Sequence, residues 1–129
     1  MGEETDGEET DEMRKVRCIT EMGMGVDVHG GDETKAARRA VSDAIRHSSL
    51  GFFGLLGKTA RDMKIDLLIG APHPDSVDHA AVAAELPYGT VTVRVVQGGL
   101  EVPSDGKSDP IVIVNAAVLV HLEVDDVAR

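Results

Sequence analysis

The sequence predicts an α/β (α+β) domain: a mixed four-stranded sheet with two helices on one face, in the order strand-helix-strand-helix-strand-strand. Three patterns carry that expectation. Residues 16–22 alternate with a period of two, residues 36–45 repeat at helical spacing, and residues 111–122 read as a strand that is apolar on both faces.

The elements follow in order. "KVRCITEM" sets Val16, Cys18, Thr20 and Met22 against Arg17, Ile19 and Glu21, a strand expected to stop at Gly23. Beyond the glycines, Ala36, Ala37, Ala40, Val41, Ala44 and Ile45 share one helix face, while Lys35, Arg38, Arg39 and Asp43 take the other; Asp32 or Thr34 is the expected N-cap. "SSLGFFGLLGKTARD" offers Phe52, Phe53, Leu55 and Leu56 for packing. Its glycines 51, 54 and 57 each weaken a helix by about 1 kcal/mol, which leaves a short helix or a packed loop.

"MKIDLLIGAP" reads as a buried strand ended by Pro72, and "DSVDHAAVAAEL" as a second helix capped by Asp75 or Ser76 and closed before Pro87. In "GTVTVRVVQGG", Val91, Val93 and Val95 alternate with Thr92, Arg94 and Val96. A polar loop, "PSDGKSDP", then leads to the final strand, "IVIVNAAVLVHLEV". One of its faces is Val112, Val114, Ala116, Val118, Val120 and Leu122; the other is Ile111, Ile113, Asn115, Ala117, Leu119 and His121. Two helices cover one side of such a sheet, so the second apolar face calls for another subunit, and the chain is expected to form a homo-oligomer, a trimer or a multiple of one.

The formal charge of −10 is concentrated at one end, because residues 1–12 carry seven of the 23 carboxylates and no Lys or Arg. With those set aside, 16 acids face 13 bases. "GEETD" occurs twice in succession with no apolar residue and cannot offset its ordering entropy, so residues 1–13 are expected to be a disordered acidic tail before a single domain at 14–129. Arg38, Arg39 and Arg46 are balanced by Glu33 and Asp43 and lack an aromatic platform, which argues against nucleic acid as a partner. No run reaches the roughly 18 apolar residues of a membrane span, and the acidic start is the opposite of a signal peptide. Cys18, the only cysteine, suits a reducing cytoplasm as a small hydrophobe.

"GMGVDVHG" at 23–30 fits the signature GxGxDxHG of a conserved hypothetical family of short proteins. The resemblance continues through "TKAARRAVSDAI", "LPYG" and "IVNAAV", so that it spans most of residues 16–122; His73 lies outside the family pattern. The element order also resembles the fold of trimeric chorismate mutases and YjgF-like deaminases, and the repeated unit of ring-opening amidohydrolases such as cyanuric acid hydrolase. That second resemblance implies active sites in clefts between subunits.

The stretch itself puts Asp27 and His29 among Gly23, Gly25, Gly30 and Gly31. A glycine-rich turn at a helix N-terminus presents backbone N–H groups to an anion or carbonyl oxygen. It matches neither nucleotide-binding glycine motif and carries an acid where an anion would sit. Three readings of Asp27 and His29 stand open: turn and helix capping, proton transfer with Asp27 orienting the imidazole, and metal ligation joined by His79, with His73, Asp75 and Asp78 as further ligands. No cofactor is required, and a divalent metal is optional. Lys35 is either a solvated first-turn lysine or an anion anchor. Asn115 is a cross-subunit hydrogen-bonding group or a substrate contact, and Tyr88 a turn-packing residue or a ligand contact. Met22 and Met24 are expected in the core or lining it. The leading function is a small-molecule enzyme of the hydrolase, deaminase or isomerase type, with Asp27–His29 as acid/base and amides near Gly30 and Gly31 holding an oxyanion. The alternative is a non-catalytic ligand-binding or scaffold oligomer in which the loop is structural.

Overall fold

The computed structural model describes residues 13–46, 63–86, 89–105 and 107–125. Outside these residues lie the acidic segment 1–12, the run 47–62 with its two phenylalanines, and Tyr88, together with the expectations attached to them. The chain order is β1 (Met13–Asp27), α1 (Glu33–Arg46), β2 (Met63–Ala71), a 3-10 turn (Pro74–Ser76), α2 (His79–Ala83), β3 (Thr90–Gln97), β4 (Leu100–Ser104) and β5 (Lys107–Asp125).

The strands form one mixed five-stranded sheet in the order β1-β5-β2-β3, with β4 also on β5. β5 runs antiparallel to β1, β2 and β4, whereas β2 and β3 are parallel. Its length lets it take two partners along one edge: residues 115–122 pair with β2 and residues 107–113 with β4. Because β1 and β2 both oppose β5, their carboxyl ends emerge together, beside the amino end of β5. That edge is where the candidate site forms.

α1 forms as its pattern demands. Asp32 caps it by accepting the Lys35 N–H at 3.0 Å, Glu33 and Arg46 complement the helix dipole, and Ala36, Ala37, Ala40, Val41 and Ala44 are fully buried. These alanines pack with Ile65, Leu67 and Ile69 of β2, with Val77, Val82 and Leu86 from the second helical segment, and with Val112, Val114, Ala116, Val118 and Val120 of β5. Each buried Ile or Leu contributes about 1.5–3 kcal/mol over leaving it exposed.

Four expectations are corrected. The sheet has a fifth strand, β4, inside what reads as a turn and polar loop, because Leu100 and Val102 find open backbone on the overlong β5. The first strand does not stop at the glycines but runs through Gly23 and Gly25 to Asp27. The second helix is shorter than its pattern, since Pro74–Ser76 close a 3-10 turn and Asp78, not Asp75 or Ser76, is the cap, accepting from the N–H groups of Ala80 and Ala81. Met22 and Met24 are not in the core: they stand on the sheet face away from the helices, 69% and 51% exposed, beside Leu68, Leu100 and Val102. No helix among the described residues is long and apolar enough to cross a membrane.

Candidate functional site

The "GMGVDVHGG" stretch divides at Asp27. Gly23 and Gly25 are strand residues lying directly under α1: a Cβ on Gly25 would stand 2.0 Å from the Ala36 carbonyl oxygen, and one on Gly23 would stand 2.4 Å from that of Ala40. Their missing side chains let strand and helix backbones touch. Gly30 and Gly31 do something else, turning the chain with φ of 89° and 60°, the left-handed region that glycine enters without steric cost.

Asp27 ends β1 pointing inward, 3% exposed. Its carboxylate accepts the Asp32 N–H at 2.9 Å and faces Lys35 Nζ at 3.4 Å and Arg39 Nη1 at 3.8 Å. The backbone N–H bond is the largest influence holding its pKa below the ordinary aspartate value; the two cations add to it, and burial opposes them. Arg39 also donates to the Val26 carbonyl oxygen at 2.6 Å. Asp27 therefore ties the strand end, the turn and the first two turns of α1 into one unit.

His29 points the other way. Its side chain is 85% exposed and its Nδ1 lies 3.2 Å from Asp109, whose second oxygen accepts the Gly30 N–H. That N–H bond, reinforced by His29, lowers the Asp109 pKa. The expected Asp27–His29 pairing is thus replaced by two separate pairings, and the turn amides of Gly30 and Asp32 are filled by the chain's own carboxylates. Asp109 lies 80 positions from His29, and only its place beside Pro110, at the amino end of β5, brings it there.

A second carboxylate–imidazole pair sits at the same edge. Glu33, only 4% exposed on the first turn of α1, accepts the His73 backbone N–H at 2.8 Å and faces its Nδ1 at 2.6 Å. A carboxylate only accepts, so Nδ1 carries the proton and Nε2 is left outward, 3.6 Å from Glu101 of β4. The hydrogen bond to Glu33, then its charge and that of Glu101, raise the His73 pKa. Glu33 is therefore not a counter-ion of the helix arginines: Arg38 pairs with Glu85 at 2.7 Å, and Arg46 with Asp43 at 3.6 Å. Glu33, Glu101 and Asp109 are the members of this edge that the sequence does not single out. A lone acid in a helix's first turn is the only signal any of them offers, and it reads as dipole compensation.

The other expected site residues scatter. His79 opens α2 and is exposed, and Asp78 spends its carboxylate on capping. Among the described residues no three His, Cys, Asp or Glu side chains converge to hold a metal ion. Lys35 flanks a groove of about 260 Å³ with Arg38, Arg39, Ser42 and Glu85. Asn115 is exposed on the helix-free face, remote in register from Asp27, which pairs with Val112.

No curated protein matches the chain. Among solved structures it is similar to an FtsZ-like protein of unknown function from Nostoc punctiforme PCC 73102, at 38% identity over 87% of this chain and 99% of that one, with a TM-score of 0.73. The model of a conserved hypothetical protein family, Lin0512_fam, matches residues 17–120, and the chain belongs to that family.

Proposed function

We propose that the carboxyl edge of β1 and β2 is a small-molecule site that performs proton transfer, in an enzyme of the hydrolase, deaminase or isomerase type working in the cytoplasm. One observation carries this reading: the buried Glu33 carboxylate grips His73 by both its backbone N–H and Nδ1, leaving Nε2 as a fixed, outward-facing proton carrier. An imidazole oriented at Nδ1 by a buried carboxylate, with Nε2 turned outward 3.6 Å from the Glu101 carboxylate, is an arrangement that acid–base catalysis uses. The raised pKa keeps more of the ring protonated near neutrality, which favours proton donation to a leaving group or carbonyl. In open, mostly parallel α/β sheets ligands likewise lie outside the carboxyl ends of the strands, which is an analogy for this mixed sheet. In this reading His29 with Asp109 supplies a second polar contact, Lys35 an anion anchor, and Asp27 fixes the turn on which they stand. Subunit-cleft active sites, as in the chorismate-mutase-like and YjgF-like folds that the element order resembles, are the architectural analogy.

A panel of cyclic amides, imines and enolisable carbonyl compounds, followed by product formation, tests it. Turnover of one member should fall at least about 100-fold in His73→Gln and in Glu33→Gln, as for loss of a general acid or base; His73→Gln, at an exposed side chain, should melt close to wild type, whereas Glu33→Gln should cost about 1–3 kcal/mol, the scale of a hydrogen bond to a buried charged group. The limb of the pH profile on which the acid form is lost should lie above the ordinary histidine value near 6.5. Turnover that survives in His73→Gln, or a wild-type chain inert to the whole panel, overturns the reading. The latter outcome favours a non-catalytic binding or scaffold oligomer. That alternative has its own support, because the Gly30 and Asp32 amides of the turn are already taken by the chain's own carboxylates.

A further inference from the structure

The helix-free face of the sheet is built to be covered. Strand register puts Met22, Met24 and Val26 of β1 beside Ile113, Asn115, Ala117 and Leu119 of β5, then Leu68 of β2 and Leu100 of β4. Met22 is 69% exposed, and Leu100 and Leu68 stand out of the same face. Within it lies a depression of about 360 Å³, floored by Gly70 and Ala117, walled by Met22, Leu68 and Val96, and offering the Asn115 amide. A monomer in water gains nothing from such a surface, and contiguous patches of this kind mark interaction sites.

We infer that a second copy of this chain docks on this face by a two-fold axis, sheet against sheet. Three features favour a copy over an unrelated partner. The face carries both halves of a knob-and-hole fit, since the projecting methionines stand beside a hollow floored by small residues, and an isologous interface requires one patch to be its own complement. Its polar groups also come in both kinds: Asn115 offers a donor and an acceptor, and the β2–β3 corner carries Lys64 and Arg94 with Asp66, which faces His121 Nδ1 of its own chain at 3.7 Å. The size also fits. Four strands about 4.8 Å apart, with some eight residues of about 3.3 Å each, span roughly 19 by 26 Å. That is about 500 Å² in plan before corrugation by side chains, the scale of a concentration-dependent interface smaller than the standard roughly 800 Å² per partner. Edge pairing is the competing route, and the bulge between Arg17 and Ile19 interrupts β1, the outer strand on one side.

Sedimentation equilibrium of the full chain between about 1 and 100 µM tests this independently of any activity. The wild type should run as a dimer or a multiple of one. Met22→Glu and Leu68→Glu should each weaken association at least 10-fold while circular dichroism and melting remain those of a folded chain. Met22 is the safer of the two because its side chain is already largely in water. Asp75→Lys, an exposed change on the 3-10 turn, should leave assembly unaltered. A wild type that stays monomeric across the range overturns the proposal and assigns the face to another occupant. Full association of Met22→Glu and Leu68→Glu overturns it by placing the contact elsewhere.

Discussion

The two halves of "GMGVDVHGG" contain the same kinds of residue and do opposite things. Gly23 to Asp27 is strand, pressed against α1 and closed by a buried carboxylate; Val28 to Gly31 is an exposed turn whose histidine faces outward. Glycine in the first half removes volume, and in the second half it permits a backbone angle. An acid placed in the first half becomes a staple, whereas an imidazole placed in the second is available to solvent. A glycine-rich stretch is therefore not one pliable unit, and what its residues do depends on which side of the strand end they fall.

The largest expected break is Gly25→Ala. The new methyl would have to displace helix backbone rather than a flexible side chain, so the cost should be about 3 kcal/mol or more, read by urea denaturation. A loss below about 1 kcal/mol would mean that strand and helix are not in contact.

Asp27→Asn should come next, at about 1–3 kcal/mol, the scale of a hydrogen bond to a charged group, because the amide can still accept from Asp32 but no longer pairs with Lys35 and Arg39. The sign of the pH effect follows from the lowered pKa. Stability from Asp27 is fully present above the unfolded aspartate value near 3.9 and is lost as the pH falls through the lower folded value. The variant should accordingly show a shallower acid limb in melting temperature against pH; an unchanged limb would remove Asp27 from the role of staple.

Gly31→Ala sharpens the contrast from the other side. Nothing nearer than 3.5 Å obstructs its methyl, so the cost should be only the left-handed backbone, about 1–2 kcal/mol. The smallest effect belongs to His29→Gln, which should stay within about 0.5 kcal/mol as an exposed substitution. A larger loss would show that the His29–Asp109 contact holds β5 to the turn.

Much of this molecule was legible from local pattern. α1 with a cap at Asp32 or Thr34, of which the structure uses Asp32, β2 ending at Pro72, β3, and the two-faced β5 were readable because helical and strand periodicities are properties of neighbouring residues. The depth of Asp27 was not, because glycines 23 and 25 look alike whether they loosen a loop or admit a helix. β4 was hidden for a related reason, since five residues with two apolar side chains become a strand only when β5 offers them a partner.

By itself, then, the sequence determined α1, β2, β3 and β5 and which of their faces are apolar, as these follow from residue spacing, but not β4, the full length of β1 or the start of α2. The tertiary structure alone decided the site. By inserting β5 between β1 and β2 it brought their carboxyl ends to one edge with β4 and the head of α1, joining Glu33 to His73 across 40 positions and His29 to Asp109 across 80. Polar partners of that kind have no spacing rule: a carboxylate finds its imidazole through the order of strands in the sheet, and that order is set by the burial of all the faces together.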